Sequence, residues 1–134
     1  MVEPRLINNP DYVFENDFMK IWIEDDILFG YYKLIDLFTL PMAKQVIVAR
    51  KSLVKGKAYP ILVDFTLVKN ITKEAQAYFA TKESTEGIVK AAFIVNSSLT
   101  RVLFNFFLLI YTPGPPARMF TSWEKAIIWL KKDA

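Results

Sequence analysis

Tyr59-Pro60-Ile61-Leu62-Val63-Asp64-Phe65 is the stretch on which the fold turns. Its apolar residues are consecutive rather than alternating, and two of the central ones are β-branched. A strand covered on both faces needs apolar side chains pointing both ways, whereas a half-exposed strand alternates. The run is also too short for a buried helix. It therefore reads as a central strand of a sheet with helices on both sides. The flanks agree. Upstream, Thr39 is placed to cap a helix, with Pro41 tolerated in the first turn. Met42, Val46, Ala49 and Leu53 then fall on one helical face, widened by Ala43, Ile47 and Val54. Arg50, Lys51 and Lys55 crowd the end of that helix, where cations meet the negative end of its dipole, and Gly56 stops it. Downstream, Thr72 caps a second helix on which Ala75, Tyr78 and Phe79 share a face.

The same reasoning extends outward. Val89 to Val95 is another buried strand, and Arg118-Met119-Phe120 a short one. Ser98 is expected to cap a helix ending near Tyr111, and Thr112 to Pro116 forms a stiff loop. Thr121-Ser122-Trp123-Glu124 reads as a capping box opening a last helix that buries Trp123, Ala126, Ile127 and Leu130. Near the start, Phe18–Glu24 and Ile27–Lys33 form a hairpin turned at Asp25-Asp26. Gly30 inside it marks a bulge or a close approach. Residues 1–12 read as a polar arm and 13–134 as one domain. The order is β-β-α-β-α-β-α-β-α. It predicts an α/β domain with a mixed, mostly parallel sheet of about five strands and four helices.

Composition removes whole classes of chemistry. The 134 residues contain neither histidine nor cysteine, so disulfides, zinc sites, thiol nucleophiles and histidine general bases are excluded. The four glycines, Gly30, Gly56, Gly87 and Gly114, are too far apart to build a phosphate-cradling loop. Asp25 and Asp26 fit a turn better than a calcium loop. The aromatic residues sit at core spacing, which gives no stacking platform for nucleic acid. No cofactor, metal or catalytic set is expected, and the chain is not expected to be an enzyme. The charge is uneven: residues 1–36 sum to −5 and the remainder to +8, but no run of five bases occurs. The two segments are expected to neutralise one another in the fold. The first ten residues lack a signal pattern, and the uncharged run Val102–Ala117 is too short to span a bilayer. A cytoplasmic location is expected.

One segment is richer in apolar residues than a helix on a sheet requires. In Leu99 to Tyr111, the residues Leu99, Leu103, Phe106 and Ile110 form one stripe for the sheet. Phe107 flanks it. Phe104, Leu108 and Tyr111 make a second stripe roughly opposite the first. Cover by the chain itself, a homodimer, a lipid or small apolar ligand, and another protein all remain open as what buries it.

At the joint after the central strand, the element order, Val63-Asp64-Phe65 and the following Val68-x-x-Ile71-Thr72 resemble a STAS domain, the sulfate-transporter and anti-sigma-factor-antagonist fold. The likeness is closest to the small SpoIIAA-like, STAS/SEC14-type bacterial proteins, and it covers residues 15–132. Anti-sigma antagonists carry Asp-Ser-Ser-Gly at this joint, with the second serine phosphorylated by a partner kinase. Here Thr72-Lys73-Glu74-Ala75 stands in that place, and Glu74 falls on the phosphoserine position. A carboxylate there either mimics a fixed phosphorylated state or is an ordinary first-turn acid. The resemblance implies a non-enzymatic regulatory module that binds a protein partner or itself. Its SEC14-type side implies an apolar-ligand or membrane-surface alternative, and its antagonist side a phospho-regulated one. The candidate contact residues are Phe104, Phe107, Leu108 and Tyr111, with Thr72 and Glu74 at the phospho-loop equivalent.

Overall fold

The computed structural model describes residues 12–95 and 114–132. Six strands form one sheet in chain order: β1 (Tyr12–Glu15), β2 (Met19–Glu24), β3 (Ile27–Tyr32), β4 (Tyr59–Asp64), β5 (Ile88–Ile94) and β6 (Ala117–Phe120). β1, β2 and β3 pair antiparallel, and β3 to β6 pair parallel. The described helices are α1 (Leu40–Val54), α2 (Lys73–Phe79), α3 (Lys82–Thr85) and α4 (Trp123–Lys131). The expected mixed, mostly parallel α/β sheet is present, with one strand more than the expected five. Tyr12, read as the end of an arm, opens β1. At four residues that strand is too short to show periodicity, and it forms because the β2 edge offers it a ladder. The short α3 was also not anticipated. The expected helix over 99–111 lies outside the described residues.

Local chemistry explains the turns. The Asn16 side chain accepts from the main-chain N–H groups of Phe18 and Met19, each at 3.0 Å, and so folds β1 back onto β2. Asp25 and Asp26 both take positive φ, 55° and 60°, as the two-residue turn between the paired Glu24 and Ile27 requires. Gly30 pairs in register with Ile21, so it marks no bulge. α1 ends on Lys55 and Gly56, at φ 50° and 83°.

β4 is sandwiched as its sequence implies. Ile61 and Phe65 face α1 and α2, while Leu62 faces α4. Right-handed crossovers from β3 to β4 and from β4 to β5 place α1 and α2 on the same face. α4 follows the last strand, so no crossover constrains it, and it covers the other face with Ala126 and Leu130. Phe38 is the hub of the first layer. It is fully buried, with ring centroids of Tyr32, Phe79 and Phe65 at 4.8, 5.7 and 6.3 Å.

Two buried cations tie elements together. Arg50, read from sequence as a dipole complement, instead turns inward and donates from Nη2 to Ser84 O and, at 3.3 Å, to Glu86 O. It clamps α1 to α3 and the loop before β5. Lys90 reaches from β5 to Trp129 O and Lys132 O, both at 2.9 Å, and so meets the last carbonyls of α4. At the other end of α4 the cap is Ser122, whose Oγ accepts from Lys125 N at 3.2 Å. Glu124 is one position too early to close the expected capping box and serves as a first-turn acid.

Candidate functional site at the strand–helix joint

The C-terminal ends of β3 and β4 run on into two loops that stay bonded to each other. Ile35 N donates to Leu67 O at 3.1 Å, Lys69 N to Ile35 O at 2.8 Å, and Phe38 N to Asn70 O at 2.8 Å. Thr72 N then donates to Phe38 O at 3.0 Å. The pairing holds the starts of α1 and α2 side by side. Ile35 and Phe38 point into the core, while Leu34 and Leu37 stand 65% and 49% exposed. Asp36 and Lys69 form a surface ion pair at 3.5 Å beside them.

Thr72 and Glu74 sit together at the start of α2. Thr72 is half-buried and its Oγ1 accepts from Ala75 N at 3.1 Å, so the hydroxyl serves as the helix cap. Glu74 is exposed in the first turn. Phe104, Phe107, Leu108 and Tyr111 lie outside the described residues.

Directly beneath the joint is a buried carboxylate, Asp64, which the sequence reading placed at the joint without assigning it a role. Asp64 Oδ1 accepts from Thr66 N at 2.8 Å and Thr66 Oγ1 at 2.7 Å, and Oδ2 accepts from Trp123 Nε1 at 2.7 Å. Trp123 continues into a stack, with Phe29 at 5.7 Å and Trp22 at 6.3 Å between centroids. A lone polar residue ending an otherwise apolar strand was the available signal. With three donors on two oxygens, the group is a structural anchor. Among the described residues no cluster of acidic side chains is arranged to hold a metal ion.

A small cavity of about 40 Å³ lies between the sheet and α1, lined by Gly30, Ile47, Arg50, Val63 and Phe93 among others. By the room a buried water needs, that is space for a water or two and not for an acyl chain. Gly30 contributes to the space. A Cβ there would lie 3.5 Å from Ile21 Cγ2 and 3.9 Å from Val63 Cγ1, which is ordinary contact. Gly30→Ala is therefore expected to stabilise the fold by about 0.5–1 kcal/mol, through lost chain entropy in the unfolded state and a filled void. A thermal melt that falls instead would show that the gap is needed.

Comparison with known proteins agrees on architecture. No curated protein matches the chain. A crystal structure of an uncharacterized protein of the DUF3478 family from Shewanella loihica PV-4, described as having a SpoIIAA-like fold, superposes with a TM-score of 0.61 at 17% identity. The match covers 87% of this chain and 98% of that one, and it confirms the SpoIIAA-like fold anticipated from the joint. Residues 21–133 match the model of the family described as domain of unknown function DUF7793, and the chain belongs to that family.

Proposed function

We propose that this is a non-catalytic module that works by binding another protein, with the joint as its contact surface. The observation that carries this is the contrast at the joint. Asp64 and Thr72 use their hydrogen-bonding capacity within the fold, whereas Leu34 and Leu37 face solvent beside an open ion pair. Such a surface is suited to contact and not to bond chemistry. The second apolar stripe of the 99–111 segment, with Phe104, Phe107, Leu108 and Tyr111, is the other proposed contact, and a homodimer is one form the complex takes. Thr72, engaged as a cap, makes a poor phosphorylation target, and Glu74 supplies a constant negative charge in its place.

A second reading, an apolar-ligand carrier or membrane-surface module, draws on the cavity beneath α1. It requires α1 to move, since the space present is too small for a chain. No described helix is long and apolar enough to cross a membrane.

Native mass spectrometry of gently purified protein separates the two readings. The expected result is a protein–protein complex, either a dimer or a partner of defined mass. Leu34→Ser with Leu37→Ser, or Phe104→Ser with Leu108→Ser, should dissociate it with a near-native thermal melt. An apolar adduct released by solvent, with the chain otherwise monomeric, would overturn the interaction reading in favour of the carrier.

A further inference from the structure

The first strand is an edge that the described fold leaves open. Asn16 N donates to Met19 O at 2.9 Å, which closes the β1–β2 hairpin. Hydrogen-bonded and non-bonded pairs alternate from that point in an antiparallel ladder. With Phe14 opposite Ile21 and Val13 opposite Trp22, Phe14 directs its main-chain groups at β2. Val13 and Glu15 direct theirs outward, away from the sheet. Among the described residues nothing pairs with that outer edge.

Natural edges are normally blunted by short length, charged side chains, proline or a bulge, and of these β1 has its four-residue length and Glu15. Here the β1–β2 register is unbroken, and neither proline nor a base occurs in Tyr12–Glu15. Val13 is 47% exposed on the α4 face and Phe14 37% exposed on the α1 face. Both sides of the edge thus offer apolar contact. The two ends of the strand are acidic. Glu15, opposite Lys20, and Asp17 lie at one end, and the exposed turn Asp25-Asp26, with Asp25 ion-paired to Lys131, lies at the other, next to the Tyr12–Ile23 pair; Asp17 and Asp26 have no ion pair among the described residues. Lys33 holds Glu15 at 2.8 Å and lowers its pKa, which keeps that carboxylate charged.

We propose that β1 accepts an extended segment of a partner protein as a seventh strand. The segment carries β-branched or aromatic residues between two bases about five residues apart, the spacing at which bases reach both acidic ends of a four-residue strand. A second copy of β1 is a poor occupant. Antiparallel self-pairing would set Glu15 and Asp17 of one copy against the acidic turn of the other, and four residue pairs bury far less area than a stable dimer needs. Residues 1–11, with Glu3, Asp11 and a single base, Arg5, lack the complementary charge.

The test is to pan a library of linear random dodecapeptides against the full chain, then titrate the strongest peptide into ¹⁵N-labelled protein. The expected peptide is basic at both ends, perturbs the amides of Val13 and Glu15, slows their hydrogen exchange, and binds more weakly as salt rises. N-methylating one alternate set of its amides should weaken binding about tenfold, and the other set should not matter, because only alternate residues face the edge. Val13→Lys, at an exposed position, should weaken binding to a similar extent without shifting the thermal midpoint. Shifts that map to Leu34 and Leu37 instead, indifference to both methylated sets, or an acidic consensus would each overturn the proposal. So would sedimentation showing a dimer that Val13→Lys dissolves, since the occupant would then be a second copy. Of these results only shifts at Leu34 and Leu37 bear on the joint, and they would favour it, so the failure of this proposal and the failure of the interaction reading above remain distinguishable.

Discussion

Replacing Phe38 with alanine is expected to destabilise the fold by about 4 kcal/mol, at the upper end for a large-to-small change in a packed interior. The residue is fully buried, and its ring lies against Tyr32, Phe65 and Phe79 from β3, the β4 end and α2. Phe18 meets it edge-on at 6.4 Å. The neighbours belong to separate elements, so no single shift closes the hole. The main chain of Phe38 also carries two of the bonds that weld the loops, to Asn70 O and from Thr72 N. The cavity therefore opens beneath the joint itself. For a domain of this size, the loss amounts to a fall of about 15 °C in thermal midpoint. Exchange of the Thr72 amide should accelerate more than that of amides in β2. A melt lowered by only a few degrees would show that the cluster repacks and that the joint does not depend on it.

The second large effect is expected at Asp64. Asp64→Ala leaves Thr66 N–H, Thr66 O–H and Trp123 Nε1–H without their acceptor in a buried place, at a cost of about 3 kcal/mol. Asp64→Asn is the more informative change, because it keeps the shape. A carboxylate only accepts, whereas an amide must turn its NH₂ toward either Thr66 or Trp123 and set donor against donor. It should therefore be nearly as damaging as alanine. Adding Trp123→Phe to the Asp64→Asn variant should recover part of the loss, giving a coupling above about 0.5 kcal/mol in a double-mutant cycle. Denaturant melts followed by the fluorescence of Trp22 and Trp129, which every variant of the cycle keeps, read both quantities. If Asp64→Asn melts like the unchanged protein, the carboxylate does not anchor α4 and the assignment fails.

The two residues differ in how far sequence could announce them. Phe38 is one apolar residue among several in Leu34-Ile35-Asp36-Leu37-Phe38, and nothing local separates it from Leu37. Yet one is fully buried and the other is half in water. The loop pairing with residues 67–71 makes that choice, and its partners are about thirty residues away along the chain. Arg50 shows the same limit. Three bases at a helix end look like complements to its dipole, and only the position of α3 turns one of them inward. β1 escaped for a related reason: four residues carry too little pattern, and the strand exists because β2 has an edge to fill. By contrast, Thr72 as a cap, Asp25-Asp26 as a two-residue turn and the split faces of β4 were all readable, because each depends on neighbours within a few residues.

The alternation of strands and helices, the buried central strand and the SpoIIAA-like topology were thus already written in the order of the residues. The first two follow from local periodicity, capping and turn chemistry, and the third from the family resemblance carried by the joint residues. Which leucines of the joint face water, where the Asp64 carboxylate finds its third donor, and that the outer edge of β1 is unpaired among the described residues were settled by the packed fold. Those outcomes rest on contacts between residues far apart in the chain, whose pairing depends on where each element comes to lie and not on any stretch read alone.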